Sequence, residues 1–151
     1  YAQDNNAALA DFGSYCFMHA QKCSTVHRAT NLQYLQAMCA PSSHVAFIIS
    51  RTGENRQLIE MAEHLKKQKN RIILLTSVEK STLAGLAEVS INVASADSFS
   101  KLGSLVFLVG AKYIMEVLRK LRVQRYVSQT VLSTMALAST QQPLTNRLRN
   151  G

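Results

Sequence analysis

The sequence predicts an α/β fold with a buried parallel sheet. Three observations carry that expectation. Val45-Ala46-Phe47-Ile48-Ile49-Ser50 and Ile72-Ile73-Leu74-Leu75 are continuous apolar runs, rich in β-branched residues, as in strands covered on both faces. Between them Leu58, Ile59, Ala62 and Leu65 recur at helical spacing. After the second run, a short helix candidate at residues 81–86 leads to a third strand candidate at residues 89–93. Strand, helix, strand, helix, strand is the rhythm of βαβ units, whose crossovers are right-handed.

The flanking segments read as follows. Residues 7–12 suggest a first strand running into Gly13-Ser14, with a helix after it through about Gln21. Residues 25–28 suggest a short strand, and residues 31–39 a helix that stops before Pro41. Residues 99–121 read as a long helix that is apolar nearly all round, which must bury itself in the domain or against a partner. Residues 127–138 carry a second helical pattern, with Val127, Val131, Leu132 and Met135 on one stripe. Residues 1–140 are expected to form one domain, and 141–151 a loosely held polar tail.

Composition narrows the function classes. A chain of 151 residues with 47% hydrophobic and 17% charged residues is one globular domain that needs no metal or disulfide. Cys16, Cys23 and Cys39 are odd in number and contain no CxxC pair, which argues against a disulfide framework and a zinc site. Cys16 and Cys23, seven apart, are expected on one helix face as small buried hydrophobes. A reducing, cytoplasmic setting follows. No signal segment is visible, and the apolar stretch at 102–111 is too short to span a bilayer. Tyr1 opens the chain without a Met, as expected of a processed product or the ordered part of a longer protein.

The net charge of +8 suits phosphorylated ligands or nucleic acid. Its clusters fall largely at predicted helix ends, where cations suit the helix dipole and solvent. Aromatic residues do not interleave with them, so a single-strand-binding groove has no support.

The segment Ile49-Ser50-Arg51-Thr52-Gly53-Glu54-Asn55 joins a buried strand to a helix. Open α/β sheets bind ligands beyond the carboxyl ends of their strands. The first N–H groups of the helix lack internal partners and favour an anion. Ser50, Thr52 and Asn55 can each donate a hydrogen bond to phosphate oxygens. Gly53 permits close backbone approach or positive φ. Equally, Ser50 or Thr52 could serve only as an N-cap.

Ile48-Ile49-Ser50-Arg51-Thr52-Gly53-Glu54-Asn55 resembles the Ser-x-Ser-Gly-Glu-Thr signature of sugar isomerase (SIS) domains. Ser81-Thr82-Leu83-Ala84-Gly85-Leu86-Ala87-Glu88-Val89 is similar to the family's Ser-Pro-Leu-Ala-x-x-Ala-Asp segment. Phe12-Gly13-Ser14 is similar to the glycine-rich turn after the family's first strand, and the apolar helix from Phe99 to its C-terminal helix. Within the family the chain most resembles the effector domain of RpiR-type transcriptional regulators, in which a helix-turn-helix domain precedes the sugar sensor.

The resemblance implies a three-layer α/β/α sandwich around a doubly wound parallel sheet of about five strands. It also implies that Ser50, Thr52 and Asn55 hold a phosphate while Gly53 shapes the turn. Gly13 and Ser14 would touch the ligand from a neighbouring loop, and Thr76, Ser77 and Ser81 would line the third side. No cofactor or metal is called for. The implied partners are a sugar phosphate and a second copy, joined through the C-terminal helices. DNA would be reached only through a separate N-terminal domain not in this chain, and no membrane is involved. This sequence departs from the pattern at Thr52 and Asn55, and the first loop lacks a second glycine. Tyr15 is placed to crowd the pocket.

Three readings follow: a sugar-phosphate sensor of a regulator, a phosphosugar isomerase, or a dimerisation module with a degenerate pocket. An isomerase needs a proton shuttle, for which Glu54 and Asp97 are the candidates.

Overall fold

In the computed structural model, residues 1–93 and 102–140 are described. Three strands, β1 (Val45–Ile49), β2 (Arg71–Thr76) and β3 (Val89–Asn92), form a parallel sheet in the order β1-β2-β3. Five helices surround it: α1 (Ala7–His19), α2 (Thr30–Cys39), α3 (Arg56–Lys67), α4 (Thr82–Leu86) and α5 (Gly103–Thr140).

Strand alternation explains the layering, because successive side chains point to opposite faces. Ala46, Ile48, Ile72 and Leu74 pack with Ala37 of α2, with Leu58, Met61, Ala62 and Leu65 of α3, and with Leu83 of α4. Ile49 and Leu75 face the other way, toward Leu9 and Cys16 of α1 and Phe107, Ala111 and Met115 of α5. The result is the expected α/β/α sandwich. The described residues supply three strands of the roughly five expected.

Two N-terminal expectations are corrected. Residues 7–12 belong to α1, not to a strand. Leu9, Ala10, Gly13 and Cys16 are buried at helical spacing, and a Cβ on Gly13 would lie 2.9 Å from Met115 Sδ. Gly13 therefore sits at the contact between α1 and α5 rather than in a turn. Residues 25–28 form no strand, although Val26 still packs on the core. Cys16 is buried, whereas Cys23, past the end of α1, and Cys39 are exposed.

The chain start takes the place expected of the first strand. Tyr1 N–H donates to Phe47 O at 2.7 Å, Ile49 N–H donates to Tyr1 O at 2.9 Å, and Ala2 bridges Ile49 in parallel. The buried Gln33 side chain of α2 fixes this edge. Its Nε2 donates to Ala2 O at 3.0 Å, and its Oε1 accepts from Ala2 N–H at 3.3 Å.

The C-terminal half is one helix, α5, not two helical patterns in succession. Among its residues whose burial is described, the buried ones are Gly103, Phe107, Ala111 and Met115, a ridge at four-residue spacing. Leu105, Val109 and Tyr113, on the opposite side, are exposed. The helix is thus half-covered by its own domain. Residues 120–125 are all exposed.

Candidate functional site

The site follows from the direction in which the chain leaves the sheet. After Ala2 the chain turns through a single 3-10 turn, Asp4–Asn6, into α1 on one face. After Ile49 it turns through residues 50–55 into α3 on the other face. Neighbouring edges that depart to opposite faces leave a crevice at the strand ends, where open α/β sheets bind ligands. A cleft of about 170 Å3 lies there, lined by Gln3, Asp4, Asn6, Ser50, Arg51, Thr52, Asn55 and Leu58.

The 50–55 loop is tightly built. Gly53 has φ of +70°, and a Cβ on it would lie 2.1 Å from Ser81 Oγ. Only glycine satisfies both the conformation and the approach. Gly53 N–H donates to Ser50 Oγ at 3.2 Å, and Glu54 N–H to Thr52 Oγ1 at 3.4 Å. Asn55 caps α3, its Oδ1 accepting from Leu58 N–H at 3.1 Å. A hydroxyl that accepts from the backbone still has its own O–H to donate. Ser50 and Thr52 therefore present donors beside the N-terminus of α3, an arrangement suited to an anion. The N-cap reading and the ligand reading are thus compatible at these positions.

A second loop supports the first from beneath. Ser77 N–H donates to Arg51 O at 2.9 Å, and Leu83 N–H to Gly53 O at 3.1 Å. Thr76 Oγ1 donates to Arg51 O at 3.2 Å and accepts from Val78 N–H at 3.2 Å. Ser81 Oγ caps α4 by accepting from Ala84 N–H at 3.3 Å. The Ser77 hydroxyl is buried without a hydrogen-bond partner among the described residues. Thr76, Ser77 and Ser81 are thus buttresses of the 50–55 loop and do not line the cleft.

Glu54 is a clamp between the loops. Its carboxylate accepts from Thr82 N–H and from Thr82 Oγ1, both at 2.8 Å. The backbone bond first, and then the hydroxyl, hold the carboxyl below the usual carboxylate range. Both carboxylate oxygens are thus engaged in tying the two loops together. Asp97 lies outside the described residues.

The structure separates the remaining candidates. Ser50, Thr52 and Asn55 line the cleft together, with Gly53 just behind them. Gly13 and Ser14 do not line it. Both lie within α1, and Ser14 Oγ shares a 2.7 Å hydrogen bond with Ser24 Oγ. Tyr15 is exposed and its ring lies 4.3 Å from that of His19, away from the pocket it was expected to crowd. The loop facing 50–55 is instead residues 3–6. Its signal is present in the polar run Gln3-Asp4-Asn5-Asn6, a turn composition immediately before an Ala-rich helix. Gln3 is held in place by Thr30 Oγ1, which donates to its Oε1 at 3.1 Å, and by Gln33.

Among the described residues no group of His, Cys, Asp and Glu could hold a metal ion, and no helix is long and apolar enough to cross a membrane.

Comparison with known proteins places this architecture. The family model of the SIS domain matches residues 2–115. An uncharacterised HTH-type transcriptional regulator from Caldanaerobacter subterraneus subsp. tengcongensis is 25% identical over 107 residues, which are 71% of this chain and 38% of that protein. The Vibrio vulnificus NanR protein, solved with ManNAc-6P, superposes with a TM-score of 0.75 at 18% identity, covering 94% of this chain and 55% of NanR. The sugar isomerase domain of an RpiR transcription factor from Sphaerobacter thermophilus gives 0.59 at 18% identity, covering 85% and 75%. The chain spans little more than a third of the regulator it matches in sequence and about half of NanR. The structural likenesses show the fold, and the family match over most of its length shows that this chain belongs to the SIS domain family.

Proposed function

We propose that the chain is the sugar-phosphate-sensing effector domain of a transcriptional regulator, with its ligand in the cleft between residues 3–6 and 50–55. The observation that carries this reading is the cleft itself. Ser50, Thr52, Asn55 and Arg51 line one wall at the N-terminus of α3. Such a wall favours a phosphate through hydroxyl and amide donors, a guanidinium and the helix dipole. Membership of the SIS family, the likeness to an HTH-type regulator and the ManNAc-6P held by NanR support the same ligand class.

Sensing would work by population shift. A ligand that binds one arrangement of two copies better than another favours that arrangement. The spacing of DNA-binding domains attached to the chain changes with it. The second copy would pack along α5, whose outer ridge and far end the domain leaves uncovered.

One observation favours a second reading, a phosphosugar isomerase. Asp4, a residue that carries a carboxylate, lines the cleft. The sensor reading ranks first because Glu54 is engaged by Thr82.

The test is a thermal-shift screen against sugar phosphates, with free sugars and inorganic phosphate as controls. A ligand at about 100 times its Kd stabilises the fold by about 2.7 kcal/mol. The expected result is a raised Tm with a sugar phosphate that is lost in Ser50→Ala, and no conversion of that ligand on prolonged incubation. Turnover would favour the isomerase. The absence of any shift would leave the dimerisation module with a degenerate pocket.

A further inference from the structure

The two walls of the cleft carry residues of opposite charge. Arg51 and Asp4 both line it. Among the described residues neither side chain makes a hydrogen bond or an ion pair, to the other or to anything else. Elsewhere on this surface the opposite charges pair readily, as in Arg71–Glu88, Arg56–Glu60 and Arg119–Glu116.

Asp4 is not placed there by backbone convenience. Its φ is +53°, in the left-handed region, which glycine adopts without steric cost and asparagine or aspartate tolerates. The turn that holds it is fixed by Asn6 N–H donating to Gln3 O at 3.1 Å and by Ala7 N–H donating to Asp4 O. Gln3 beside it has its amide committed to Thr30 and Gln33. The Asp4 carboxylate is therefore the unengaged charged acceptor of this wall, beside the neutral and equally unpartnered Asn6 amide.

A dianionic phosphate in so small a cleft would lie near an unpaired carboxylate. Like charges at short range oppose binding unless a third charge intervenes. A ligand that carries an ammonium group a few bonds from its phosphate resolves this. Its phosphate lies toward Arg51, Ser50, Thr52 and the α3 N-terminus, and its ammonium toward Asp4.

We propose that Asp4 and Arg51, unpaired on opposite walls of the cleft, select amino sugar phosphates with a free ammonium group over neutral sugar phosphates. This selectivity rests on the sugar-phosphate reading of the cleft and names its ligand class.

The experiment is calorimetric titration of the wild-type chain and of Asp4→Asn with glucosamine 6-phosphate, glucose 6-phosphate and N-acetylglucosamine 6-phosphate. Asparagine keeps the size and the tolerance of positive φ, and Asp4→Gly provides a second variant without backbone strain. In the wild type, glucosamine 6-phosphate is expected to bind at least about tenfold tighter than the other two, the scale of one charge-assisted hydrogen bond. In both variants that ratio falls to near one, as glucosamine 6-phosphate loses its bond to Asp4 and the other two escape the repulsion of the carboxylate. Equal affinities in the wild type overturn the selectivity and leave the sensor reading standing. So does a preference that survives in both variants, or an N-acetylated ligand that binds as well as the ammonium form. If none of the three binds the wild type or either variant, both the selectivity and the sugar-phosphate reading fall.

Discussion

Gly53→Ala is expected to abolish sugar-phosphate binding and to lower the stability of the domain by about 2–4 kcal/mol. Two independent causes act at this position. The left-handed φ of +70° disfavours any side chain, and the added Cβ would overlap Ser81 Oγ at 2.1 Å and Ser81 Cβ at 2.5 Å. The far atoms of a long, flexible side chain could move away, but Ser81 is short and caps α4. The loop must shift instead. It would pull Gly53 O from Leu83 N–H and Gly53 N–H from Ser50 Oγ, so the damage reaches the proposed ligand wall directly. Urea denaturation with far-UV circular dichroism reads the first effect and calorimetry the second. A Gly53→Ala protein that binds as the wild type would show that the loop is not the ligand wall.

The second large effect concerns assembly. The chain is expected to behave as a dimer at micromolar concentration in light scattering coupled to size exclusion, and Leu121→Asp is expected to raise the dimer dissociation constant at least about 100-fold. The 38 residues of α5 extend about 57 Å at 1.5 Å per residue, well beyond what its domain covers. Leu105, Val109, Tyr113 and Leu121 are each more than half exposed on this one helix. An isolated helical segment without tertiary packing is marginal in water, so the exposed stretch 120–125 of α5 is expected to take a neighbour. Exposed apolar surface on this scale marks an interface, and the default for one chain is a two-fold dimer. Leu121 is exposed in the single chain, so its replacement leaves the domain core intact. A monomeric wild type, or a dimer indifferent to Leu121→Asp, would contradict this assembly.

The middle of the fold is legible in the sequence because its signals are unambiguous. Ile48, Leu74 and Leu75 sit in unbroken apolar runs, and these residues are fully buried in β1 and β2. Leu58, Ala62 and Leu65 show the helical stripe that α3 buries. The N-terminal third is less legible for a physical reason. Leu9 and Phe12, spaced among alanines, imitate a short strand, yet alanine is the strongest helix former. The burial of Leu9, Ala10, Gly13 and Cys16 follows the helical period that distinguishes the two. Taking Gly13 for a turn residue overlooks the turn at residues 3–6, which follows the Ala2 edge and lines the cleft. At the other end the polar stretch around Arg122 and Arg125 imitates a break between helices. Arginine and glutamine are good helix formers and no Gly or Pro interrupts them, so α5 continues.

The candidate site is legible on one wall only. Ser50, Thr52, Gly53 and Asn55 follow an apolar strand and precede a helix, so their position at the strand ends is a local property of sequence. The opposing wall, residues 3–6, depends on which segment lies against β1. That adjacency rests on Tyr1, Ala2 and Gln33, residues distant in sequence from the loop.

The most direct test of the central claim is amide chemical-shift mapping of the labelled chain during titration with glucosamine 6-phosphate. Residues 3–6 and 50–57 are expected to move first and most, while Gly13, Ser14 and the Leu105–Val109–Tyr113 ridge stay still. Shifts centred on the apolar groove lined by Asn92, Val93, Leu105, Val109 and Tyr113, with residues 50–57 unchanged, are the opposite result.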